Sequence, residues 1–167
     1  CSGWYGANLL KNSVKEELSL MKEQLDLFKE CDAPCIVFAE VSGSIQGEVK
    51  TPLSKRPILN KEEWRTFYYK INEISKYMED SDMPLAYHHH MGTVVQSQED
   101  TERLIDNTSD TVRLLIDTGH MMFAGGDFVK IAKDYSSRLH HIHCKDIRKD
   151  VLENSLKNDL SFIDAFF

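Results

Sequence analysis

Residues 85–92 read LAYHHHMG, residues 112–120 read VRLLIDTGH, and residues 138–146 read RLHHIHCKD. Each is a short apolar run that ends in histidine or aspartate. A run of this length, bounded by Gly or Asp, fits a fully buried strand of a parallel sheet. When several parallel strands carry polar groups at their C-terminal ends, those groups gather on one rim, which is where α/β barrels put their chemistry. Imidazoles and a carboxylate gathered there suit a divalent metal ion. Of the chain's 7 histidines, His88, His89, His90, His140 and His141 form two clusters; His143 lies just past the second, and His120 follows Asp117.

Outside this stretch, strand and helix patterns alternate. Residues 13–31 carry Leu18, Met21, Leu25 and Phe28 at helical spacing, an amphipathic helix. Pro34 stops it, and Cys35 to Ala39 reads as a buried strand ending at Glu40. A loop containing Gly, Ser and Pro covers roughly residues 41–60. Asn60 with Glu63 three residues on is a capping-box start. The helix it opens runs to about Met78, with Trp64, Phe67, Ile71 and Ile74 as its apolar stripe. Leu85 to Tyr87 is the next strand. Ser97 caps a helix reaching about Asn107, Val112 to Ile116 is a strand, and Asp127 to Tyr135 is a short helix. Leu139 to Cys144 is a strand, and a helix near 150–158 follows. This alternation predicts βα units around a parallel sheet, with strands near 35–40, 85–90, 112–117 and 139–144 adjacent in that order. Glu40, the His88–His90 run, the Asp117–His120 turn and His143 then share one face.

The bulk numbers exclude several classes. A length of 167 residues is that of one domain, with an ordinary 41% hydrophobic and 28% charged content. The formal net charge of −7 and the lack of a basic patch argue against nucleic acid. The apolar runs fall far short of the roughly 20 residues of a membrane span. Cys31 and Cys35 have no matching second pair and, with Cys1 and Cys144, read as reduced thiols of a cytoplasmic protein. The chain opens on Cys1 and stops in an apolar stretch at Phe167. Both features lead to the expectation of a single partial domain, residues 1–167, truncated at both ends.

Five motifs carry a resemblance. They are Ser2-Gly3-Trp4-Tyr5, residues 39–47 (AEVSGSIQG), residues 87–93 (YHHHMGT), residues 117–120 (DTGH) and residues 141–148 (HIHCKDIR), and Leu160-Ser161-Phe162 fits as well. Together they resemble the myo-inosose-2 dehydratases of inositol catabolism, within the xylose-isomerase-like (β/α)8 superfamily. The resemblance covers essentially the whole chain. It implies a TIM-barrel segment running from about strand three to strand seven, an open sheet, and an incomplete site that would leave this chain inactive alone.

The resemblance also implies a site. Related enzymes hold a divalent metal with carboxylates and a histidine from the ends of strands five to eight. On that pattern Asp117 and His143 are ligands and His120 touches substrate. Many relatives place a Glu on strand five, where this chain offers His88, His89 and His90. His90 is the expected third ligand, with His88 second because the two share a face at period two. The implied reaction is loss of water from 2-keto-myo-inositol through an enolate. His90, His120 and Glu40 are the acid and base candidates, with Mn²⁺ or Co²⁺ favoured as the ion. Substrate contacts are expected from His88, His141, Lys145 and Trp4.

Each assignment has a structural counterpart. Asp117 is otherwise a turn or N-cap aspartate, and Glu40 is otherwise a loop anchor. Trp4 and Tyr5 either wall a pocket or pack in the core. His141 has either a direct or a supporting role, while His89 and His140 are expected to point away from the barrel interior. The partner implied is a cyclic polyol ketone, and self-association stays open. A sugar isomerase or ketose 3-epimerase shares the scaffold and the enolate chemistry, and a non-catalytic polyol-binding protein is the rival of another class.

Overall fold

The computed structural model describes residues 3–166. Cys1, Ser2 and Phe167, which enter the readings above, lie outside the described residues. Five strands alternate with helices: β1 (Gly3–Ala7), α1 (Val14–Glu30), β2 (Ile36–Glu40), α2 (Lys61–Asp80), β3 (Leu85–His88), α3 (Gln98–Asp106), β4 (Val112–Asp117), α4 (Thr118–Phe123), α5 (Phe128–Asp134), β5 (Leu139–His143) and α6 (Lys149–Lys157). All neighbouring pairs are parallel, in the order β1-β2-β3-β4-β5. This is the nearest-neighbour winding of a (β/α) barrel, with β1 and β5 at the two edges of the sheet. Among the described residues no helix is long and apolar enough to cross a membrane.

The helix starts follow their caps. Ser13 accepts from the Glu16 N–H and Asn60 from the Glu63 N–H, and each glutamate carboxylate accepts the backbone N–H of the cap residue in return. Such caps contribute about 1 kcal/mol each. On α2 the stripe Trp64, Phe67, Ile71 and Ile74 is buried, extended by Met78. These side chains pack on the same face of the sheet as Phe38, Leu85 and Tyr87 in the main core. On α1 only Met21 and Leu25 of the stripe are fully buried, while Leu18 and Phe28 pack at the margin.

β5 departs from expectation. Its apolar run predicts a buried strand, yet His140 and Ile142 are exposed and Leu139, His141 and His143 only half-buried. The reason is its position, since it pairs with β4 alone. The short helix α4 carries no apolar periodicity to announce it. It forms because the Asp117 side chain accepts the His120 N–H and so caps the turn.

Candidate metal centre

Three strand ends meet. β3 stops at His88, β4 at Asp117 and β5 at His143. Asp117 lies directly beside His143 in the ladder, although regular pairing from Leu114 and Leu139 would put Ile142 there. A register shift after Leu114 sets Leu115 against His141 and skips His140. A bulge of this kind re-aims the side chains beyond it, and here it places an imidazole beside the carboxylate.

The resulting cluster is tight. His88 Nε2 lies 3.5 Å from Asp117 Oδ2, His143 Nδ1 lies 3.4 Å from the same oxygen, and the two ring nitrogens are 3.2 Å apart. Metal bonds of about 2.0–2.1 Å, set roughly 90–110° apart, require donor atoms roughly 3.0–3.4 Å from one another. The His88, Asp117 and His143 donors therefore already stand at close to coordination spacing. The His88 tautomer also fits. Its Nδ1–H donates to the His89 carbonyl at 2.5 Å, leaving the Nε2 lone pair facing Asp117. Ligating histidines characteristically donate their second ring nitrogen in this way.

Electrostatics favour unprotonated imidazoles. Burial lowers the pKa of His90 to about 4 and that of His120 to about 2. Burial, followed by the charge of His88, also pulls His143 down. Burial would raise the Asp117 carboxyl, but its contacts with His88 and the Lys145 ammonium and the hydrogen bond from the His120 backbone N–H hold it well below the usual carboxylate range. The Lys145 ammonium donates to Asp117 Oδ2 at 2.5 Å and sits 3.3 Å from His120 Nε2. The close approach of Lys145 to the α4 turn requires Gly119, where a Cβ would meet the Lys145 side chain at 2.7 Å.

The structure sorts the expected residues. His90 lies beyond the end of β3 and outside the metal-type cluster. Its Nδ1–H donates to the Met91 carbonyl, and its ring packs at a tilt against His120 with a centroid distance of 3.8 Å. His88 and His90 do line the same cavity, as period two implies, but it is His88, at the strand end, that stands beside Asp117. Glu40, expected as an acid or base, is fully buried, and its two oxygens accept the Leu9 and Ser42 backbone N–H groups. It therefore anchors loops and does not line the cavity. Asp117 combines both of its readings, since Oδ1 caps α4 while Oδ2 faces the cluster. His89 is fully buried beneath the site and accepts the Asp117 backbone N–H at 3.2 Å. His140 lies on the exposed side of β5, and the His141 ring packs edge-on against His143 at 5.4 Å.

A cavity of about 790 Å³ opens above the cluster, and Trp4, Gln46, His88, His90, Lys145 and Phe162 contribute to its wall. The Trp4 ring stands edge-on to His88 at 5.7 Å. A second cavity of about 410 Å³ adjoins it and shares His90, Lys145 and Phe162. Gln46 and Phe162 were not singled out from the sequence. The only signal for either is its place within the motifs of residues 39–47 and 160–162.

Comparison with known proteins agrees with this architecture. Residues 2–162 match the family described as xylose isomerase-like TIM barrel. The chain is 38% identical over 164 residues to the rhizopine catabolism protein MocC of Rhizobium meliloti, covering 98% of this chain and 50% of that protein. It is also 38% identical to an inosose dehydratase of Clostridium perfringens, covering 97% of this chain and 55% of that enzyme. The chain thus spans about half the length of the curated relatives it matches. Among solved structures, the IOLI protein with a bound zinc atom superposes with a TM-score of 0.61 at 16% identity, over 81% of this chain and 46% of that one.

Proposed function

The chain belongs to the xylose isomerase-like TIM barrel family, and on that premise we propose that it carries the metal-binding and proton-transfer site of an inosose dehydratase. The reaction is loss of water from 2-keto-myo-inositol in inositol catabolism. The observation that carries this reading is the spacing of His88, Asp117 and His143 at coordination distance. The inosose dehydratase relatives support the substrate, and the zinc bound by the IOLI protein supports a divalent ion. A mixed imidazole and carboxylate set admits Mn²⁺, Co²⁺ or Zn²⁺, and the resemblance favours the first two.

His88, Asp117 and His143 would hold a divalent ion, which would supply Lewis-acid polarisation of the ketone and so acidify the adjacent C–H. The rest is work for the chain's own side chains. His90 keeps its Nε2 lone pair because Nδ1–H is committed to the Met91 carbonyl, so it serves as the base for that proton. Lys145, in contact with His120 Nε2, delivers a proton to the departing hydroxyl. One C–H bond and one C–O bond break, a C=C bond forms, and water leaves. Such positioned transfers contribute on the order of 10²–10⁴-fold each. Lys145 also balances the Asp117 charge.

The test is to incubate the purified protein with 2-keto-myo-inositol and Mn²⁺ or Co²⁺ while following the absorbance of the dione product. Ion-dependent appearance of the dione supports the reading. An epimerised or isomerised ketose in its place would move the chain to the isomerase and epimerase chemistry of the same scaffold. Because the chain spans about half the length of its relatives, polyol binding with no turnover makes it a binding protein only if the full-length protein is inactive as well.

A further inference from the structure

One oxygen of the cluster has two claimants. Asp117 Oδ2 is the atom that His88 Nε2 and His143 Nδ1 both face, at 3.5 and 3.4 Å. The Lys145 ammonium donates to that same atom at 2.5 Å. A divalent ion held by His88, Asp117 and His143 calls on the same carboxylate.

The backbone of Lys145 is fixed at this point by Thr118. Thr118 Oγ1 accepts the Lys145 N–H at 2.8 Å and donates to the Lys145 carbonyl at 2.6 Å. Gly119 leaves room for the lysine stem, since a Cβ there would lie 2.7 Å from Lys145 Cβ. The run Asp117-Thr118-Gly119 thus supplies, in three successive residues, the carboxylate, the clamp and the space.

The two partners differ in what parting costs each of them. The Asp117 side chain is fully buried, whereas that of Lys145 is 49% exposed. A buried carboxylate is strongly destabilising without a cation beside it. A half-exposed ammonium on a flexible four-carbon stem returns to water readily. Asp117 therefore requires a cation, and Lys145 is a replaceable one.

We propose that Lys145 is a built-in competitor of the metal ion: its ammonium, clamped by Thr118, holds Asp117 Oδ2 and sets the ion concentration at which the site loads. This rests on the metal reading above and adds a regulation of that same site. Two positive charges on one oxygen repel each other at close range. An ion therefore gains the site by displacing the ammonium or by binding against its charge, and both lower the affinity. Where the ion is scarce, the lysine keeps the buried carboxylate paired.

The probe is Co²⁺, titrated into the whole protein while its d–d absorption is recorded. Lys145→Met removes the charge, keeps much of the stem, and is expected to tighten Co²⁺ binding roughly tenfold. Arg148→Met removes an equal charge from the wall of the adjoining cavity and is expected to stay within about twofold of wild type. Thr118→Val removes the clamp at nearly constant shape and is expected to tighten binding about threefold, while Thr118→Ser stays at the wild-type value. With EDTA in place of the ion, Lys145→Met is expected to melt about 5 °C below wild type, because Asp117 is left buried without its cation. A residue that merely packs the site would lower stability and ion affinity together, so the opposite signs mark a competitor. Should Lys145→Met fail to fold, Thr118→Val reads the same competition through the clamp. Co²⁺ affinity in Lys145→Met equal to or below that of wild type overturns this inference alone. Absence of Co²⁺ binding from both proteins overturns the metal reading and this inference with it. Co²⁺ binding without dehydration by wild type removes the dehydratase reading alone.

Discussion

His89 accepts the Asp117 backbone N–H at 3.2 Å, so one member of the histidine triplet holds the strand end while its neighbour His88 faces the Asp117 carboxylate. His89 lies just past the end of β3, and the two neighbouring rings divide between support and chemistry. His89→Ala leaves a buried N–H without an acceptor and a void beside it. The expected cost is about 2–4 kcal/mol of unfolding free energy, read from urea denaturation. An unchanged midpoint would show that the bond holds nothing.

The cluster geometry ranks the triplet for metal binding. His88→Ala and His143→Ala are each expected to weaken Co²⁺ binding by at least about 100-fold, and His90→Ala by only a few-fold. The intensity of the Co²⁺ d–d absorption, titrated with the ion, gives the affinities directly. A His90→Ala variant that loses the ion while His88→Ala retains it would reverse the assignment.

Glu40 provides a pH test. Burial raises its pKa above the ordinary 4.5, against the opposing hydrogen bonds from Ser42 and Leu9. A raised folded-state pKa means that the folded protein holds this proton to higher pH than the unfolded chain does. The linked stability is fully present below the ordinary value and is lost as pH rises through the raised one. In Glu40→Gln the titration is gone. The stability advantage of wild type over this variant should therefore shrink as pH rises above the ordinary carboxylate range. A difference that is flat with pH, or that grows, would mean that Glu40 is already ionised at the acid end.

Gly92 tests the contact between the loops after β2 and β3, where the Ile45 N–H donates to the Gly92 carbonyl at 3.0 Å. Its left-handed backbone and the 2.8 Å approach of the Gln46 nitrogen leave no room for a methyl group. Gly92→Ala is expected to lose about 1–3 kcal/mol of stability. Thermal unfolding reads the effect, and a wild-type midpoint would show that the loops relax freely.

What could be read in advance, and what could not, divides along physical lines. Ser13 with Glu16 and Asn60 with Glu63 mark helix starts because capping is local in sequence. The strands were legible as apolar runs, and their order followed from alternation. Burial of β5 was not, since an edge strand and a central strand share a composition. The helix from Thr118 is six residues capped by a strand-end aspartate, too short to show a stripe. The choice between His88 and His90 turned on where β3 stops, and periodicity presumes that a strand continues. Glu40 read equally well as a catalyst or an anchor, because only the position of the Leu9 and Ser42 N–H groups decides it. The shift that skips His140 has no residue signature at all.

The segment that carries Phe162 sets an order of assembly. Each strand pairs only with its chain neighbours, so the sheet grows by closing short loops. The Ser54–Asp159 and Lys50–Asp164 bonds instead join residues 105 and 114 positions apart, and they are exposed. Contacts of such separation carry their loop-closure entropy before any reward, and exposed bonds open at the low end of the local stability range. The histidine and aspartate cluster is therefore expected to form before the segment that carries Phe162 docks, and that segment is expected to open first.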